Sequence, residues 1–185
     1  MTVQALDASE SPMAEWDLKD GTFDPAEVAA LASEYRAMDT AFLVDARWDL
    51  WSFDVEAMRW QLKAEPLLLL CQGLNYDNGV AATEGQFAAD LGFEHFFTGH
   101  ARLLLGHAAE IEPGSPDHPV ERRFRNWMAS GENLKQYHQK TRENIQKLFQ
   151  WVESVEAALP IERTELWSEG EENFEARLDE IVAVK

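Results

Sequence analysis

Apolar residues first take up a helical rhythm after Asp24. Val28, Leu31, Tyr35 and Met38 follow at steps of three and four, the spacing of one helix face. The stretch "DPAE" supplies a start signal, with Asp24 as N-cap, Pro25 at the first helical position and Glu27 completing a capping box. Residues 1–23 show no such rhythm. They read as a polar N-terminal leader, with Trp16, Leu18 and Phe23 as anchors onto a body formed by residues 24–185.

The next stretch, "AFLVDARWDLWSFDVEAMRWQLKAEP", supports two readings. Val44, Trp48, Trp51, Val55, Met58 and Leu62 make one helical stripe, and no Gly or Pro interrupts residues 41–65, which favours a helix over 46–64. As strands, "AFLVD" and "WDLWSF" carry high β-propensity. Pro66 restarts the chain into "LLLLCQG", a buried helix or strand, and "NYDNG" is a turn by composition. Thr83 and Gln86 form a second capping-box pattern, predicting a helix that runs into "FAADLGFEHFF". Gly92, Gly99 and Gly106 recur along it at seven-residue intervals and would let a neighbouring element approach closely.

"EPGSPDHP", residues 112–119, is a linker. After it Val120, Phe124, Trp127, Gly131, Leu134, His138, Thr141, Ile145, Leu148, Val152, Val155 and Leu159 advance by fours and threes, a heptad seam that ends at Pro160. One continuous helix over this span would be about 60 Å long; Gly131, after Ser130, is where it would divide. Trp167, Phe174, Leu178 and Ile181 repeat the pattern briefly near the C-terminus. The expectation is a mainly α protein, a bundle of five to six amphipathic helices in one domain. The alternative is α+β, with a small sheet from parts of 41–53 and 66–76.

Composition changes this picture at two points. With 45% hydrophobic residues, seven tryptophans and one cysteine in 185 residues, the chain has globular composition and cannot close an intrachain disulfide. Cys71, at the end of "LLLLC", is expected to be a buried apolar thiol. The N-terminus lacks the basic start and apolar core of a secretory signal, and the longest strongly apolar run is too short to cross a bilayer, so a soluble cytoplasmic setting is expected.

The second point is charge. The chain holds 34 acidic and 16 basic residues, a formal −18, which disfavours nucleic acid and anionic membranes and favours a basic partner. With only six lysines, adaptation to a saline habitat explains it equally well. Residues 118–150 run against the trend, with seven basic and three acidic residues. Such a segment is expected to dock on the chain's own acids; alternatively Arg122, Arg123 and Arg125, with Trp127 four residues after Arg123, form an interaction patch.

Candidate chemistry is sparse. "FEHFFTGHARLLLGH" places three histidines and a glutamate in fifteen residues, but not at the i, i+3 or i, i+4 spacing of one-helix metal sites. On a helix His100 and His107 share the apolar stripe two turns apart, and His138 occupies the seam. Brought together across a bundle, His100, His107 and His138 could hold a metal or haem; as single residues they are structural. Trp48, Trp51 and Trp60 could stack a ligand, though such a stripe is more often core. No nucleophile elbow, phosphate-binding loop or calcium loop is present, and no cofactor is identified. The expectation is therefore a protein–protein interaction module, of the inhibitor, immunity, antitoxin or assembly-factor kind, acting on a basic protein. The competing class is a small metal- or haem-dependent bundle enzyme. A homodimer through the 120–159 seam is a further possibility.

Overall fold

The computed structural model describes residues 1–18, 24–54, 56–98, 119–170 and 172–183. Its architecture is α+β, built on a five-stranded antiparallel sheet, and not a helical bundle. The strands are β1 (Thr2–Leu6), β2 (Pro12–Asp17), β3 (Ala41–Asp54), β4 (Arg59–Gln72) and β5 (Phe87–Asp90), in the order β2-β1-β3-β4-β5. The helices are α1 (Pro25–Ser33), single turns α2 (Ala81–Glu84) and α3 (His95–Thr98), then α4 (Pro119–Met128), α5 (Gly131–Ala158) and α6 (Phe174–Ala183). The chain divides into two compact units. The first comprises Met1–Asp49 and Ala64–Gly92, the second Leu50–Lys63 and Phe93–Lys185, so the long β3–β4 hairpin contributes to both.

The expected helix over 46–64 is replaced by this hairpin. The reason lies in "DARWDL", where Asp45, Arg47 and Asp49 are exposed and alternate with half-buried Ala46 and buried Trp48 and Leu50. That period of two belongs to a strand with one covered face. It overrides the coarser three-and-four stripe, whose Leu62 is 54% exposed. The turn between the strands is organised by Asp54: its Oδ1 accepts the amides of Glu56 and Ala57 at 3.0 and 2.9 Å, and Gln61 Nε2 donates to its Oδ2 at 3.1 Å. Pro66 lies inside β4, but pairing with β5 spans only Leu68–Cys71, so its missing donor costs that ladder nothing.

In the first unit, most of the polar segment expected to be a leader forms strands. Val3 and Ala5 are buried on β1 while Thr2 and Gln4 are half-exposed, and β1 pairs with both β2 and β3. Asp7 holds the turn to β2, its Oδ1 accepting from Ser9 N–H, Ser9 Oγ and Ser11 N–H. Helix α1 begins as its capping signal predicts, with Ala26 N–H donating to Asp24 Oδ1 at 2.8 Å, though it ends at Ser33, before Tyr35 and Met38. Leu6, Ala41 and Tyr76 form a core cluster with Leu43 and Leu70 against it. Gly73 is required here: a Cβ would collide with the Met38 backbone carbonyl, next to bonds from Gly73 N–H to Thr40 O and from Asn75 N–H to Met38 O. The helix expected from Thr83 is a single turn that gives way to β5. Thr83 Oγ1 donates back to the Val80 carbonyl instead of capping a longer helix.

In the second unit the long seam divides at 129–130 into α4 and α5, as Ser130-Gly131 suggests. The buried face of α5 is Tyr137, Thr141, Asn144, Ile145 and Leu148. It is rotated from the predicted seam at its start, where Leu134 and His138 are exposed. Alongside it, Phe97, Phe174 and Leu178 are deeply buried, with α3 and α6 packed on α5 and on each other. Phe53 and Trp60 of the hairpin tip join Phe124, Trp127, Met128 and Tyr137 in one cluster; Phe53 lies 4.5 to 6.3 Å, ring centre to ring centre, from four other aromatic rings. Among the described residues no helix is long and apolar enough to cross a membrane.

Candidate functional site

The residues singled out by sequence meet different fates. His100 and His107 lie outside the described residues. His138 is exposed on α5 instead of occupying the buried seam; partial desolvation, then the Arg142 charge, lowers its pKa. Among the described residues no group of three His, Cys, Asp or Glu side chains could hold a metal ion. Cys71, expected to be buried, is exposed at the residue level, because its position on β4 faces away from buried Gln72. Its thiol is still desolvated enough to raise its pKa.

Three residues of the basic segment make contacts within the second unit. Arg123 donates to the Glu56 carbonyl at 3.2 Å, Arg142 to the Ile181 carbonyl at 3.2 Å, and Lys140 pairs with Glu143 on its own helix at 2.8 Å. Trp127 turns into the aromatic cluster, and Arg122 is exposed; the side chain of Arg125 lies outside the description. The tryptophans do not form a stacking platform. Trp48 and Trp51 are three apart on one strand and leave opposite faces, and Trp60 packs on Phe53 and Tyr137. Instead, Lys140 Nζ sits 3.7 Å from the centre of the Trp51 ring.

Beside that contact is a polar anchor that sequence reasoning missed. Asn144 is 2% exposed. Its Oδ1 accepts the Trp51 N–H at 2.8 Å, while its Nδ2 donates to the Trp51 carbonyl at 2.9 Å and the Phe96 carbonyl at 2.9 Å. One amide side chain thus stands in for a neighbouring strand at one residue of β3, whose pairing with β1 ends at Asp45. Glu143 follows in the same network. Burial raises its pKa, but bonds from Lys140 and Gln139, the Lys140 charge and a bond from Trp51 outweigh this, and the net shift is downward.

Among the described residues a concave feature lies in the first unit. A solvent-open cavity of about 390 Å³ is lined by the carboxylates of Glu10, Asp77 and Glu84, the amide of Gln72, the hydroxyl-bearing Tyr76 and an apolar wall that includes Leu43 and Leu70. The β1–β2 turn brings Glu10, the turn after β4 brings Tyr76 and Asp77, and α2 brings Glu84. Backbone conformation is unusual here: Glu10, Asp77 and Asn78 all have positive φ (61°, 42° and 55°), a region costly for side-chain-bearing residues.

Tyr76 is 4% exposed as a whole residue, its ring packed in the core cluster with Leu6 and Ala41. The pKa of Tyr76 is raised by burial, then by the charges of Glu10, Asp77 and Asp7. Gln72 spends its Nε2 on the Gly85 carbonyl at 2.7 Å. Among the described residues no cationic side chain lines the cavity. Only "NYDNG" was visible as a turn; Glu10 and Glu84 are brought to it by topology, which no local spacing encodes.

Compared with models of protein families, with curated proteins and with solved structures, the chain matches none.

Proposed function

We propose that this chain is an acidic binding module for a basic protein, acting in an intracellular setting. The observation that carries this reading is uncompensated charge. The sequence holds an excess of 18 acidic residues, and two arginines of its basic segment are committed to backbone carbonyls instead of carboxylates. Ion pairs between described residues, such as Lys140–Glu143, Arg163–Glu165 and Arg177–Glu180, join near neighbours in sequence. A field of this sign accelerates encounter with a cationic partner and repels nucleic acid.

Exposed aromatics add contact chemistry: Phe93 is 72% and Trp167 74% exposed, and large rings are enriched among residues that dominate binding energy. They flank a bond from Ser168 Oγ to the Glu94 carboxylate within the second unit.

The test is affinity capture with the full chain from its native cells at low salt, followed by elution with rising salt. Retained proteins are expected to be basic and to leave at moderate ionic strength. A column that retains nothing, or retains proteins with no basic bias, contradicts the reading.

A further inference from the structure

The turn that follows β4 holds a reactive pair that the charge-based reading does not use. Asn78 is the one asparagine of the chain with a glycine after it. The others precede Tyr76, Trp127, Leu134, Ile145 and Phe174, whose side chains shield the backbone nitrogen that follows. An asparagine side chain can cyclise onto that nitrogen, and access to the nitrogen controls how readily it does so. Gly79 presents it bare, with no side chain beside it. Even a Cβ built on Gly79 would meet nothing beyond its chain neighbours closer than the Leu74 carbonyl oxygen at 3.5 Å.

The fold supplies the remaining conditions. Asn78 is exposed, so water reaches its amide. The bond that its Nδ2 donates to Asp77 Oδ1 is long, at 3.5 Å, and holds the amide weakly. Its backbone lies at φ 55°, ψ 25°, directly after Asp77 at φ 42°, ψ 60°. Left-handed residues in succession are costly, so leaving this conformation is opposed less than leaving a helix or a paired strand. Ring closure requires the peptide unit after Asn78 to rotate, which opens one bond across the turn, from Val80 N–H to the Asp77 carbonyl at 3.2 Å. Asn144, by contrast, is buried with its amide committed to the backbone of Trp51 and Phe96, and Asn133 donates to the Trp127 carbonyl at 2.8 Å.

We propose that Asn78 is a site of spontaneous covalent modification in the folded chain, converting to isoaspartate and aspartate with water as co-reactant. The Gly79 nitrogen, on losing its proton to hydroxide, attacks Asn78 Cγ. The new N–Cγ bond closes a succinimide ring, the Cγ–Nδ2 bond breaks, and ammonia leaves with a proton taken from water. Water then opens the ring: attack at the α-carbonyl leaves the chain joined through Cγ as isoaspartate, and attack at Cγ gives aspartate. No atom changes oxidation state. Either product adds one negative charge to the formal −18, on the turn whose Tyr76 and Asp77 line the cavity. Isoaspartate also lengthens the main chain by a methylene between buried Tyr76 and buried Ala81.

The experiment is incubation of the full chain at neutral and mildly alkaline pH, in ordinary water and in water enriched in heavy oxygen, followed by peptide mass spectrometry. The peptide that holds Asn75 and Asn78 carries its own control. Conversion at Asn78 is expected to outrun that at Asn75 by about tenfold or more, a barrier difference of at least about 1.4 kcal/mol. It should rise with pH, because the nucleophile is the deprotonated amide. Each converted residue should take up a single heavy oxygen, and isoaspartate should exceed aspartate in the fragment spectra. Asn78→Gln, which would have to close a larger ring, should stay unconverted over the same period.

The unmodified chain unfolded in guanidinium chloride gives a second comparison that does not depend on a variant. There sequence alone sets the rate, and the folded chain should convert within about tenfold of it. A larger gap means that the turn protects Asn78, and overturns the proposal. Equal conversion at Asn75 and Asn78 in the folded chain overturns it as well. Either result leaves the charge-based function standing, since the capture experiment judges that separately.

Discussion

At the scale of single residues, Asn144 carries the most structural consequence. It sits between Thr141 and Ile145 of the predicted seam, where heptad spacing assigns a polar residue to solvent. The structure buries it and uses all three of its hydrogen bonds on the backbone of Trp51 and Phe96. Polarity conceals such a residue in a sequence, because the partner is backbone and leaves no side-chain signature. Asn144→Ala strands one buried N–H and two carbonyls, and a loss of about 3 kcal/mol is expected. Urea unfolding reads it directly; a change below about 1 kcal/mol would mean that water replaces the amide.

Glu143 next to it gives a pH signature. Its pKa is lowered in the native state below the ordinary 4.5, so the unfolded chain binds more protons across the intervening window. Its contribution is complete above that ordinary value and is lost as pH falls through the native one. Glu143→Gln should therefore flatten the acid limb of the stability curve slightly, the carboxylate being about one-third exposed and partly screened. An unchanged limb would show that the Lys140 and Gln139 bonds contribute nothing in solution.

At the scale of elements, β3 and β4 show why a stripe at helical spacing can mislead. Aromatic and aliphatic residues in "AFLVDARWDLWSFD" satisfy steps of three and four because both faces of the strand carry some of them. The deciding signal is the narrower alternation of Asp45, Arg47 and Asp49 with Ala46, Trp48 and Leu50. Strands β1 and β2 were hidden for the opposite reason, since small and polar residues such as Gln4, Ala5 and Ala14 give too little hydrophobic contrast. The alternative α+β expectation anticipated sheet in 41–53 and 66–76, but not its extension to residues 2–17.

Capping chemistry was more dependable at Asp24 than at Thr83, where strand β5 takes over after one turn. The hairpin tip is bound into its unit by Phe53, which touches rings from the hairpin, α4 and α5. Phe53→Ala should cost about 3 kcal/mol and remove near-ultraviolet circular dichroism from the tryptophans. Retention of both would show that the cluster repacks without it.

At the scale of the whole molecule, charge was legible from composition, while the meeting of distant acidic residues in space was not. The cavity residues Glu10, Gln72, Tyr76, Asp77 and Glu84 spread over 75 positions of sequence and meet only through the strand order. Of the candidate histidines, His138 stands exposed on its helix, while His100 and His107 lie outside the described residues.

The central claim is that a formal charge of −18 serves recognition of a basic protein. Steered association leaves a kinetic mark, with a fast on-rate that declines steeply as salt screens the long-range field, while dissociation changes much less. The most direct measurement is stopped-flow association of the captured partner with the full chain across a salt series. An on-rate falling by tenfold or more between low and physiological ionic strength is the predicted result. An on-rate indifferent to salt would contradict the account.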